Sequence, residues 1–264
     1  MTGALLVLGA TGTVGRAVVE AAVEAGRAVV AVARGCSGLK ALESRHPDAD
    51  LTVVRASVST ERGAAKLVAQ LRRLGRPIDG VIVALKGGSD RGRILDNGLD
   101  ALHRRIDEDV APHIAAARQL LPWLAEQSTG VRYVVVGGPG STTPWAGYGH
   151  RSVAAAALRM LVRVLHEEAL PTGVRVQLLD VAAPARTDVN AAHACPQWPR
   201  VQAIGQKAVA LATAPRGVLV APVIDFDTTP RSRPRAAPPR DPDIADARVL
   251  LESLTSHLPK DFDR

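Results

Sequence analysis

The stretch from Ala4 to Gly15 constrains this chain more than any other. Five apolar residues run straight into Gly9-Ala10-Thr11-Gly12-Thr13-Val14-Gly15, and a helical period follows at once. Glycines at 9, 12 and 15 permit a tight turn, close approach of the backbone to a pyrophosphate, and close packing of the helix on the strand. The helix N-terminus adds unpaired N–H donors and the positive end of a dipole. The motif therefore predicts a dinucleotide site built on Gly9, Gly12 and Gly15, with Thr11, Thr13 and Val14 between them.

The rest of the chain repeats the same alternation. Short β-branched runs at 4–8, 28–33, 51–55, 78–84, 131–136, 174–180 and 217–222 read as strands. Segments of helical period at 14–25, 37–45, 60–74, 98–127 and 148–169 read as helices. The fourth of these is long and apolar enough for one central buried helix, and a short helix at 244–258 closes the chain. The strands are almost wholly apolar, as expected when helices cover both faces of a sheet. The expected class is α/β: a Rossmann-like, doubly wound parallel sheet of about seven strands with helices on both faces. Residues 1–264 read as a single NAD(P)-binding domain. After Pro184 the period is lost, and 184–204 is placed to act as a lid beyond the sixth strand. The stretch 228–243, with five prolines and four arginines, reads as an exposed loop.

Composition narrows the possible partners. Apolar residues make up 47% of the chain and aromatic ones 3%, so a base-stacking platform for nucleic acid is not expected. The net charge of +7 contains no run of five or six basic residues, and it suits attraction of an anionic ligand instead. No apolar stretch reaches the length of a membrane span, and the opening run lacks the flanks of a signal peptide, so a cytoplasmic protein is expected. Cys36 and Cys195 make neither a disulfide framework nor, with His193, a metal cluster; no metal is expected. Of two tyrosines, Tyr133 falls inside a strand, which leaves Tyr148 as the available phenol.

Nineteen residues past Gly15 the second strand ends in Arg34. An NAD-selective site places a carboxylate there for the ribose 2′-hydroxyl. Arg34 cannot accept that hydrogen bond, but its planar fork can pair with a 2′-phosphate, which points to NADPH/NADP.

These features together resemble the short-chain dehydrogenase/reductase family. The likeness runs from Ala4 to about Asp188 through the glycine motif, Asp79, Asp109 to Leu121-Pro122, Tyr148, and Pro184 to Thr187-Asp188. The glycine spacing is that of the family's extended and atypical members. The resemblance implies an Asn-Ser-Tyr-Lys tetrad, which here is degenerate. Asp109 stands thirteen residues before Pro122, where the family has its Asn. Gly137-Gly138 replace the Ser, with Ser141 three residues on. Tyr148 is present, but Ser152 occupies the Lys position. Cofactor contacts are expected from the glycine motif, Arg34, Ser57, Val58, Ala84, Leu85, Lys86, Pro184 and Thr187. Trp145, Trp198 and His150 are candidates to meet the substrate. His113, one turn after Asp109, reads as a satisfied or exposed helical histidine.

The missing lysine bears on direction. It would lower a tyrosine pKa from its reference of about 10, which alcohol oxidation needs and ketone reduction does not. The reading is thus an NADPH-dependent ketoreductase, with catalytic candidates Tyr148, Ser141 and Asp109. The chain also resembles antibiotic-pathway ketoreductases acting on angucyclinones, and this resemblance implies a bulky polycyclic ketone as the substrate, with a hydroxyl on it as an alternative proton source. A non-catalytic NAD(P)-binding regulator or redox sensor is the alternative, and monomer and homo-oligomer are both open.

Overall fold

The computed structural model of the chain describes residues 3–88, 91–127, 130–215 and 221–226. Among these residues seven strands form one sheet: β1 (Ala4–Leu8), β2 (Val29–Ala33), β3 (Leu51–Arg55), β4 (Ile78–Val83), β5 (Arg132–Val136), β6 (Arg175–Asp180) and β7 (Val223–Asp225). Their order is β3-β2-β1-β4-β5-β6-β7, and every described pairing is parallel. The winding direction reverses between β1 and β4, so a crevice opens where their carboxyl ends diverge.

The apolar strands are divided by their alternation. Leu6, Leu8, Val81, Val83, Tyr133 and Val135 turn to one face, where they meet α3 (Glu61–Leu74), α5 (Ala111–Gln127) and α6 (Gly149–Ala169). Leu5, Val7, Ile82, Val134 and Val136 turn to the other, against α1 (Thr13–Glu24) and α7 (Val201–Ala212). The remaining helices are α2 (Cys36–Arg45) and α4 (Leu99–Asp109). Helix α3 shows its ends in the sequence: the Thr60 side chain accepts from Gly63 N at its start, and Gly75 closes it at φ 66°.

Four expectations are corrected. The single helix expected over 98–127 breaks at Val110, because Pro112 has no N–H to continue the ladder and its ring crowds the carbonyl four residues back. The seventh strand pairs with β6 at Val223–Asp225 and leaves out residues 221 and 222, while 217–220 of the expected range lie outside the described residues. The segment expected as a lid to residue 204 ends at Arg200, where α7 begins. Tyr148 caps α6 instead of lying within it. The loop expected at 228–243 and the helix at 244–258 lie outside the described residues.

Helix α7 carries Val201, Ile204, Gly205, Ala208, Val209 and Ala212 on its buried stripe. It crosses α1 so closely that a Cβ at Gly205 would lie 2.6 Å from the carbonyl carbon of Ala17. Arg159 of α6 turns toward the sheet and pairs with Asp180 and Asp225.

Candidate active site

The glycine turn stands at the switch point. Gly9 has φ 78°, which suits only glycine, and a Cβ there would sit 2.5 Å from the Ala84 carbonyl oxygen and 3.3 Å from Leu85. Gly9 and Ala10 donate their N–H groups to Val32 O, Gly12 donates to Gly9 O, and Ala84 donates to Leu8 O. The expected Gly9, Ala84 and Leu85 are thus brought into contact. A Cβ on Gly15 would lie 2.7 Å from the carbonyl carbon of Gly9, so helix and turn touch backbone to backbone. Gly12 and Thr13 are exposed, and no side chain caps the N-terminus of α1. That is the cradle a dinucleotide pyrophosphate requires: open N–H donors at a positive helix end, with no Cβ in the way.

Around the cradle, Thr11 lies against Gly38 of α2, and Val14 is half-buried. Arg34 is exposed just past β2. Arg55, the partner of Ala33 in the parallel register, donates its Nε–H to the Arg34 carbonyl at 3.3 Å. A second guanidinium therefore stands beside the position expected to read a 2′-phosphate. Arg55 is absent from the expected site, although its place at the last position of β3 follows from strand register. Ser57 bonds Ser59 at 2.9 Å, and Val58 is buried in the core. Lys86 is exposed. Pro184 and Thr187 lie on the segment after β6, where Thr187 N donates to the Asn190 side chain at 2.7 Å.

The four positions of the tetrad have separate fates. Asp109 accepts from Gly87 N at 2.7 Å and lies 3.5 Å from Arg105, so it holds the loop that follows β4. Burial, partly opposed by Gly87 N and Arg105, raises its pKa. Ser141 donates to Asp180 at 2.6 Å. Asp180 is buried and also bound to Arg159, while its second oxygen has no described partner. Ser152 donates to the Tyr148 carbonyl and accepts from Trp145 N, so the residue in the lysine position is spent on the local backbone. A Cβ at Gly140 would run into it at 2.9 Å from its Cα.

Tyr148 is half-buried and stacks on Trp145 with ring centroids 4.0 Å apart. It lines a pocket with His150, Arg91, Gly92, Asn97 and the arginines at 104, 105 and 151. Three candidates, Tyr148, His150 and Trp145, are therefore brought together. Trp198, Ser141 and Asp109 do not line this pocket. The residues that do include three arginines from the segment between β4 and α5, all missed in a chain where arginine is common.

His113 is neither exposed nor satisfied. It is 2% exposed with both ring nitrogens lacking a hydrogen-bond partner, and burial drives its pKa down to about 4 against a weaker opposing pull from the Leu85 backbone. Among the described residues no cluster of metal-ligating side chains occurs, and no helix is long and apolar enough to cross a membrane.

The family described as short chain dehydrogenase matches residues 4–198. No curated protein matches the chain at a significant level. Among solved structures, a short-chain type dehydrogenase/reductase from Mycobacterium ulcerans is similar with TM-score 0.77 and 19% identity, covering 86% of this chain and 89% of that one. A short-chain dehydrogenase from Streptomyces avermitilis has TM-score 0.70 and 21% identity over 97% and 96% of the two chains. A gluconate 5-dehydrogenase from Burkholderia cenocepacia, in complex with NADP and tartrate, has TM-score 0.70 and 16% identity over 80% and 88%.

Proposed function

We propose, since the chain belongs to the short-chain dehydrogenase family, that it is an NADPH-dependent ketoreductase whose substrate is a ketone on a bulky polycyclic aromatic polyketide, angucyclinone-like, in antibiotic biosynthesis. The observation that carries the reading is the pocket containing Tyr148. It is built from the loop after β4, helix α4 and the start of α6, segments that follow the carboxyl ends of β4 and β5, on the side of the sheet where the glycine cradle also opens.

A bound NADPH supplies a hydride. The chain's own residues do the rest. The glycine turn and the first turn of α1 bind the pyrophosphate, and Arg34 with Arg55 takes the 2′-phosphate. Asp109 fixes the loop at Gly87, and with it the approach of Leu85 and Lys86 to the cofactor side of the site. Tyr148 gives its phenolic proton to the carbonyl oxygen as charge develops there, and no lysine at position 152 turns the phenol into a base for the reverse reaction. The hydroxyl of Ser141 is directed to Asp180, so carbonyl polarisation falls to Tyr148 or to a hydroxyl on the substrate itself. Trp145, His150 and Trp198 are proposed to contact the substrate.

The engagement of Ser141 and Ser152 favours a second reading, a non-catalytic NAD(P)-binding regulator or sensor. Purified protein mixed with NADPH and a panel of aromatic polyketide ketones separates the two. The ketoreductase oxidises NADPH with at least one ketone; binding of NADPH without oxidation across the panel supports the sensor.

A further inference from the structure

We infer that the pocket beside Tyr148 recognises an anionic oxygen group, a carboxylate or an ionised phenol, carried on a planar substrate; this rests on the ketoreductase reading and names the substrate class of that site. Arg91, Arg104, Arg105 and Arg151 all line the pocket, and among the described residues no acidic side chain does. The charge of Arg105 is met by Glu108 at 3.1 Å and Asp109 at 3.5 Å. Arg91, Arg104 and Arg151 have no carboxylate partner among the described residues.

Some arginines elsewhere take acidic partners, as in Arg72 with Glu126 and Arg118 with Glu61, and others, such as Arg34, have none among the described residues, so what distinguishes this cluster is its convergence on one pocket. Here the cations rest on rings instead. The Arg91 guanidinium stands 5.5 Å from the Tyr148 ring centre and that of Arg151 stands 5.7 Å from the Trp145 ring centre. Contact with an aromatic face attracts a guanidinium and limits its rotamers. Both forks are therefore partly ordered before an anion arrives, which lowers the entropy lost on binding. Arg151 is half-buried, and burial weakens its hold on its proton, the mark of a cation short of both water and counter-ion. A carboxylate accepts two parallel N–H bonds from such a fork and a phenolate accepts converging ones on its single oxygen, whereas a neutral amide or ether cannot supply the charge.

Calorimetric titration tests the inference, with and without saturating NADP, using 2-naphthoate and the isosteric neutral 2-naphthamide. In a separate arm 4-nitrophenolate and 4-nitroanisole, under mildly alkaline conditions, distinguish the phenolate source from the carboxylate. At least one anion is expected to bind about tenfold or more tightly than its neutral counterpart, a preference that shrinks as salt rises. In Arg91→Gln combined with Arg104→Gln the preference falls toward unity while NADPH affinity stays. Equal affinity of anion and neutral probe, or no binding of either, overturns the inference; if NADPH is still oxidised with a neutral ketone, the ketoreductase reading survives that result. Failure of the protein to bind NADPH overturns the ketoreductase reading instead, and the titration without cofactor still decides the anion preference.

Discussion

Replacing Gly15 by alanine isolates what the backbone contact between turn and helix is worth. The new methyl would run into the carbonyl oxygen of Gly9, and it would also fall 2.7 Å from that carbonyl's carbon and 2.9 Å from Cα of Ala10, against 3.4 Å for an ordinary contact, so the turn must withdraw by more than about 0.7 Å. All the obstructing atoms are backbone, and no side chain can rotate away. Overpacking of this kind costs about 1–3 kcal/mol. Withdrawal also weakens the 2.9 Å bond from Gly12 N to Gly9 O, worth about 1 kcal/mol. Against this, alanine inside a helix is favoured over glycine by about 1 kcal/mol. The net loss is about 1–3 kcal/mol, a fall in Tm of about 2–12 °C for a fold of this size. Gly12→Ala is the matched control. Its Cβ meets only Gly9 O, at 3.3 Å, and φ is −72°, so the stability cost is under about 1 kcal/mol, whereas the methyl projects into the proposed pyrophosphate cradle. Melting followed by circular dichroism without cofactor, paired with NADPH titration, reads both effects. Gly15→Ala should lose stability and affinity, and Gly12→Ala mainly affinity. A Gly15→Ala protein that melts with the parent, or a Gly12→Ala protein that binds NADPH as tightly as the parent, refutes the reasoning.

Arg34→Ala should weaken NADPH about ten- to hundredfold, the worth of a charge-assisted pair to phosphate, and leave NADH affinity unchanged; an unaltered ratio of the two affinities removes Arg34 from cofactor choice. Tyr148→Phe should lower kcat for ketone reduction by about 10²–10⁴-fold in single-turnover measurements, and near-parental turnover would assign the proton to the substrate. His113 has a folded-state pKa of about 4, below its reference of 6.5, so the unfolded chain takes up the proton first. Its stabilisation is complete above pH 6.5 and is lost as pH falls toward 4, by about 3 kcal/mol in all. Tm measured across that window should fall less steeply in His113→Leu, and parallel profiles would show that another group controls acid sensitivity.

The sequence announced the sheet through features that act locally. The apolar runs of β1 to β6 and the glycines at 9, 12 and 15 each carry their own conformational signal, and the structure places them as expected. Helix α7 was harder to see even though its buried stripe has regular spacing, because the stripe is made of small and β-branched residues and begins directly after a proline-rich segment. The split at Val110 depended on weighing Pro112 against a long apolar period, and Pro122 shows that the same residue type can sit inside a helix of this protein. The site was less legible than the fold. Residue type placed Ser141 near the fifth strand, yet its partner, Asp180, lies 39 residues away and comes into reach only through sheet order. The arginines of the Tyr148 pocket come from α4, α6 and the loop after β4, and nothing in their spacing sets them apart from the other arginines until the elements pack.

The segment following Pro184 is pinched at its base. Arg186 N donates to Pro199 O at 2.7 Å, and Val201 N returns a bond to Arg186 O at 2.9 Å. Residues 187–198 thus leave and rejoin the body at one point, so β6 and α7 do not register how long the excursion between them is. Doubling a loop adds only about 0.6 kcal/mol of closure entropy. That makes the segment an exchangeable cassette: its length and side chains can be rewritten while the sheet, the glycine turn and the α1–α7 crossing keep their positions.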